Sequence, residues 1–94
     1  MDMKITGNQK LPNLFRKYRK GRGLKQKQVA LILGLKSASV ISRWEKGINI
    51  PKTLNVLKLA AIYRTMTEML LPKLTTMLRI ELRKREEVVL RKCP

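Results

Sequence analysis

Ser39, Ser42, Arg43 and Lys46 lie in the stretch GLKSASVISRWEKG, residues 34–47. They recur at i, i+3, i+4 and i+7, the spacing of one face of a helix. Two hydroxyls, a guanidinium and an ammonium give this face hydrogen-bond donors and acceptors without an activated nucleophile. Such a set suits the recognition of base edges. An arginine can bridge O6 and N7 of guanine, a contact worth about 1–3 kcal/mol of discrimination. Val40, Ile41 and Trp44 fall together on the other side of the same helix. The only tryptophan of the chain therefore reads as an anchor in a core rather than as a base-stacking residue.

Covalent chemistry finds little to work with. The chain has no histidine, one cysteine and six acids. No phosphate-cradling glycine loop is present, because GRG at 21–23 alone means little. A zinc site would lack ligands, and no metal or cofactor is expected. The charge balance points elsewhere. Twenty-two Lys and Arg against six Asp and Glu give +16, with a pI near 10.9. Self-repulsion of that size destabilises a small fold, which implies a polyanionic partner. Residues 1–52 carry net +11 and residues 53–94 net +5. The lone cysteine, Cys93, allows no internal disulfide, fits a reducing compartment, and reads as an incidental exposed thiol. No run approaches the about 18 apolar residues of a membrane span, and MDMKITGNQK lacks a signal-peptide core. A cytoplasmic protein is expected.

Ninety-four residues suffice for one modest core. Residues 1–10 read as a flexible basic arm. Leu11, Leu14, Phe15 and Tyr18 predict a first helix starting at Leu11, with Pro12 in its first turn, ended by GRG. QKQVALILG, 26–34, predicts a second helix with Val29, Ala30 and Leu33 inward and Gly34 as its stop. Ser37 or Ser39 caps a third helix running through Lys46, and Gly47 ends it. A fourth helix is predicted over 53–64, capped by Thr53. Val56, Leu57, Ala60 and Tyr63 make its stripe, widened by Leu54, Leu59 and Ile62. Thr67 starts a short fifth helix, which Pro72 either kinks or follows with a new one.

A last amphipathic helix is predicted over 73–91. Leu71, Leu74, Leu78, Leu82 and Val89 form its stripe, which Arg85 interrupts. Glu81–Arg85 and Glu87–Arg91 are set for i, i+4 pairing. The stripe packs either on its own domain or on a second copy. Tyr18 and Tyr63 are expected in the core or at its rim, and Met66, Met69 and Met77 as flexible filler. Glu45, a lone acid among cations, should pair with a neighbouring Lys or Arg. Most of the cluster Arg16, Lys17, Arg19, Lys20 and Arg22 reads as a solvated face, with one or two members near phosphate.

The fold class is all-α. Two short helices with a tight connector, an interior Ala30 and a terminal Gly34 describe a helix-turn-helix. A larger residue at Ala30 would push the two helices apart. Anchoring Ile41 and Trp44 leaves the polar face of the third helix rigid and outward.

The residues RGLKQKQVALILGL, SVISRWEKG, the proline at 51 and LKLA resemble the Cro and phage-repressor type of helix-turn-helix domain, the xenobiotic-response-element family. The resemblance spans about residues 11–63. It implies a five-helix repressor-like domain that binds operator DNA, usually as a homodimer, and regulates transcription. It further implies base-edge contacts from Ala38, Ser39, Ser42 and Arg43, and backbone contacts from Gln26, Ser37, Lys46 and Lys52. Gln26 can also cap the second helix, Ser39 the third, and Ala38 can read a thymine methyl or simply fit the groove. Twelve residues separate Gly34 from Gly47, one more than the commonest family spacing. Aligned on Trp44 and Gly47, the extra residue is Lys36 or Ser37. The basic tail after Arg64 has no counterpart in the family pattern.

The organisation expected is thus an arm over 1–10, a DNA-binding domain over 11–70 and a basic C-terminal helix over 71–94 that can serve dimerisation. The expected partner is double-stranded DNA, with repression by operator occupancy. The alternative is an antitoxin or co-regulator that binds a protein through residues 73–94. Membrane-surface binding by that tail is disfavoured by Glu81, Glu86 and Glu87, and general RNA binding by the lack of aromatic platforms.

Overall fold

A computed structural model describes residues 10–92. The chain is all-α, with six helices among these residues: α1 Phe15–Gly21, α2 Gln26–Ile32, α3 Ser39–Glu45, α4 Thr53–Tyr63, α5 Thr67–Leu70 and α6 Pro72–Lys92. The expected arm, apart from Lys10, and Cys93 lie outside the described residues.

Glycine stops set the short helices apart. Gly34 adopts φ +73°, a left-handed conformation that other residues adopt at a cost. Its N–H donates to Leu31 O (3.1 Å), and Leu35 N–H reaches back to Ala30 O (2.8 Å). Those two bonds satisfy carbonyls that the end of α2 would leave bare. Gly47, at φ +75°, does the same for α3, which ends at Glu45 with Lys46 as the flanking residue.

The first helix begins at Phe15, four residues later than its apolar spacing predicts. Residues 11–14 form a strap instead of a turn of helix. Leu11 N–H donates to Gly47 O (3.0 Å), and Leu14 N–H to Leu70 O (2.8 Å). Leu11 is buried all the same, so its place in the apolar pattern reflects the core rather than a helix. Asn13 starts α1: its Oδ1 accepts from Phe15 N–H at 3.1 Å.

Phe15, Val29, Ala30, Ile41, Trp44, Leu59, Ala60, Tyr63 and Leu70 form the core, drawn from α1 to α5. Tyr18, Leu24, Leu33, Leu35, Val40, Ile62 and Leu71 pack around it. The α4 stripe is narrower than predicted. Val56, Leu59, Ala60 and Tyr63 are buried, but Leu54 and Leu57 face solvent. Neither Thr53 nor Thr67 caps its helix by a side-chain bond; α4 and α5 follow extended Lys52 and Met66.

Pro72 opens α6 rather than kinking a helix. Its missing N–H costs nothing at a first position. Leu74 and Leu78 are half-buried, whereas residues 82–92 are all exposed. No residue of α6 is buried. The spacing-based ion pairs do not form: among the described residues the ion pair is Arg19–Glu45. Arg91 turns its Nε to the Glu87 carbonyl instead (3.3 Å). Among the described residues, no helix is long and apolar enough to cross a membrane.

Candidate nucleic-acid interface

Helix α3 is too short to hold its own position. An isolated helix of seven residues is unstable in water, so its neighbours must fix it. Ile41 and Trp44 supply the anchorage, at 1% and 6% exposure. Ala30 of α2, also buried, allows the two helices to approach closely. The polar positions then fall outward. Ser39, Arg43 and Lys46 are exposed, while Ser42 and Ala38 are half-exposed. Lys52 and Ser37 are exposed as well.

Of the two serines that could start α3, Ser37 does so. Its Oγ accepts from Ser39 N–H at 3.1 Å and lies 2.9 Å from Ser39 Oγ. Ser39 is the first residue of the helix. Gln26 does not cap α2; Gln28 takes that part, its Oε1 accepting from Lys25 N–H at 2.8 Å. Gln26 points its amide across to α3, donating from Nε2 to Glu45 Oε1 at 3.0 Å.

Glu45 receives more than that. Arg19 Nε donates to Oε2 at 2.6 Å and Nη2 to Oε1 at 3.1 Å, a two-pronged pair. Its third nitrogen, Nη1, donates to Leu24 O at 2.8 Å. Both side chains are almost enclosed, at 10% and 4% exposure. The bond to Glu45 raises the Arg19 pKa above its usual value, against the opposing effect of burial. Arg19 is therefore a strut of the fold and not one of the solvated cations. The expectation that Glu45 pairs with a cation holds.

Its partner was legible in retrospect. Glu45 is the only acid between Asp2 and Glu68, and Arg19 lies four residues after Phe15 on the same helical face.

Asn13 is the second residue that spacing alone did not single out. Its Nδ2 donates to Leu11 O (3.0 Å), Trp44 O (3.1 Å) and Glu45 O (3.3 Å). One amide thus satisfies carbonyls at the C-terminal end of α3 and, through Oδ1, begins α1. The available signal was an Asn just ahead of a helical run; Pro12 drew the predicted start upstream.

Below α3, a concave pocket of about 410 Å³ is lined by Arg16, Arg19, Lys25, Gln26, Ser42, Glu45 and Lys46. Arg16, Lys25 and Lys46 are exposed. With Glu45 engaged by Arg19, the pocket presents unbalanced positive charge beside the α3 face. Such a surface attracts phosphate, and the helix beside it is shaped to meet base edges.

Tyr63 stands beneath the Arg19–Glu45 pair. Its hydroxyl is buried without a hydrogen-bond partner. Burial first, and the nearby Glu45 charge second, push its pKa up, so it stays protonated.

Comparison with known proteins matches the helix-turn-helix family model HTH_3 to residues 15–68. Searches of curated proteins and of solved structures return no match. The matched span runs from the first residue of α1 into α5 and holds the α2–α3 pair, the Arg19–Glu45 strut and the outward polar face. A pinned α3 beside a cationic pocket and a family match over more than half the chain lead to one conclusion: this chain belongs to the HTH_3 helix-turn-helix family and is a DNA-binding transcription regulator of the Cro/repressor type.

Proposed function

We propose that the protein recognises a specific operator and represses transcription by occupying it. The observation that carries this reading is the outward, tethered polar face of α3. In this reading α3 enters the major groove, with Ala38, Ser39, Ser42 and Arg43 at base edges. Gln26, Ser37, Lys46 and Lys52 grip the flanking phosphates. Phosphate contacts position the protein, and base contacts specify the sequence. Residues 11–70 act as the DNA-binding domain, and the protein works in the cytoplasm. As a homodimer it binds inverted repeats whose half-site centres lie about 10 bp, or a multiple, apart.

Selection of bound sequences from random duplex DNA at two salt concentrations tests the proposal. An enriched motif is expected, with affinity falling steeply as salt rises. Arg43→Ala should relax base preference at one position, while Lys52→Ala should weaken all sequences alike. A pool with no enrichment refutes operator recognition.

One observation favours a second reading, in which the protein is an antitoxin or co-regulator. Helix α6 exposes its whole surface beyond residue 81, as a segment awaiting a protein partner would. Stoichiometric co-purification that depends on residues 73–94 would support it.

A further inference from the structure

Helix α6 is long, exposed and unevenly charged. Its half-buried residues Leu74, Thr75, Leu78 and Glu81 mark the half that faces the domain. At about 3.6 residues per turn, Lys73, Arg79, Arg83, Lys84 and Arg91 fall on the opposite half, and all five are exposed. Of the three glutamates of the helix, only Glu87 joins them there. On the inner half Arg85 and Lys92 accompany Glu81, and Glu86 stands at the border between the two. The excess of positive charge is therefore gathered on the outward side.

Along the middle of that side runs a shallow groove of about 400 Å³, lined by Thr76, Arg79, Ile80, Arg83, Lys84 and Glu87. Arg79, Arg83 and Lys84 take no part in an ion pair among the described residues. Two guanidiniums four residues apart, an ammonium and a hydroxyl are groups that hold phosphate oxygens. A groove on a protein partner asks for something else, apolar anchors at i, i+3 or i+4, and i+7. Each such row on this side is broken by a charge. Met77 and Ile80 lead to Lys84, and Leu90 is preceded by Arg83.

The helix is rooted close to α3. Leu14 N–H donates to Leu70 O at 2.8 Å, two residues before α6 begins. Pro12, Asn13 and Leu14 share a hollow of about 200 Å³ with Pro72 and Lys73. The same Asn13 closes α3 through Trp44 O and Glu45 O. Helix α6 thus starts at the strap that ends the reading helix. Its 21 residues span about 30 Å, close to the about 34 Å of one duplex turn. Once α3 is docked, its arginines meet neighbouring phosphates at a high effective concentration.

We propose that the outward side of α6 is a second DNA-binding surface. It holds phosphates of the duplex flanking the stretch under α3, with Arg79 and Arg83 as its principal contacts, and reads no bases. It lies outside the matched family span of residues 15–68. It rests on DNA binding by the helix-turn-helix domain and not on the operator reading.

Binding of the full chain to a duplex of arbitrary sequence, about 30 base pairs long, is measured between about 50 and 200 mM salt. Arg79→Gln with Arg83→Gln should flatten the slope of log K against log salt by about 2, at about 0.9 per phosphate. Affinity at the lower salt should fall at least tenfold. Arg85→Gln with Lys92→Gln removes the same charge from the inner half and should move the slope by less than about 0.5. Glutamine is a good helix former, so the far-ultraviolet circular dichroism of both variants should match the native chain. In the native chain, amides of residues 79–91 should exchange more slowly once the duplex is bound.

A slope unmoved by the outward pair overturns the proposal. So does an equal change from both pairs, which would report net charge alone. Exchange in α6 that ignores the duplex overturns it in the native chain, whatever the variants do. A native slope in the Arg79 and Arg83 variant, together with loss of a stoichiometric co-purifying protein, would give this side to a protein partner instead. Failure to enrich any motif refutes the operator reading alone, because the slope on arbitrary DNA carries no sequence information.

Discussion

Helices α3 and α6 invert the usual relation between length and security. α3 has seven residues and α6 twenty-one. The short helix is fixed by Ile41 and Trp44 beneath, Ser37 at its start, Asn13 at its end and the Arg19 strut on Glu45. The long one has no buried residue and depends for its outer half on its own backbone bonds. Helical propensity and i, i+4 spacing can write a helix, but only burial and capping give it a fixed address. A surface that must read another molecule needs the second kind.

The contrast can be broken most forcefully at Arg19. Arg19→Ala removes one partner of an enclosed ion pair and leaves Glu45 uncompensated, which costs about 3 kcal/mol or more. A large drop in thermal midpoint is expected, while Arg43→Ala, on the exposed face of α3, should leave the midpoint almost unmoved. Equal midpoints for the two variants would mean that α3 is not held by the strut.

Gly47→Ala comes next. A Cβ there would lie 2.5 Å from Leu11 O and 2.8 Å from Leu11 N, at φ +75°. Backbone cannot yield as a side chain does, so a loss of about 2 kcal/mol is expected in urea denaturation. Asn13→Ala should cost less, about 1 kcal/mol, because its bonds are only part-buried. Amide exchange should then quicken at the C-terminal end of α3 before it does in α4.

The smallest effect belongs to α6. Truncation after Glu81 removes, among the described residues, only exposed ones and should shift the unfolding free energy by less than about 0.5 kcal/mol. In the intact chain, amides of the last three turns should exchange far faster than those of α4. Slow exchange there would show that the outer helix is held after all.

Much of this was legible from residue order. The bounds of α2, the inward Ile41 and Trp44, the glycine stops at Gly34 and Gly47, and the helical run after Pro72 all follow from local periodicity and breakers. Contacts between distant segments were not. Leu11 sits in a helical pattern yet serves as a strap, because apolar spacing records burial and not backbone shape. Leu54 and Leu57 match a buried stripe but face solvent, since four buried residues already fill the inner side of α4. Arg19 was hidden in a run of cations, and only its distant acid singles it out. For the contact residues, the fold brings Gln26, Ser42 and Lys46 to one pocket. It leaves Lys52 beyond that pocket, across the loop.

Glu45 is the sole acid among the described residues before α5, and it stands at the mouth of a surface suited to polyanions. Left bare, a carboxylate there would push phosphate away. Clasped by a guanidinium from α1 and an amide from α2, its field is extinguished at short range. The same clasp that squares three helices to one another also silences the one dissenting charge, so that Arg16, Lys25 and Lys46 speak unopposed to whatever duplex arrives.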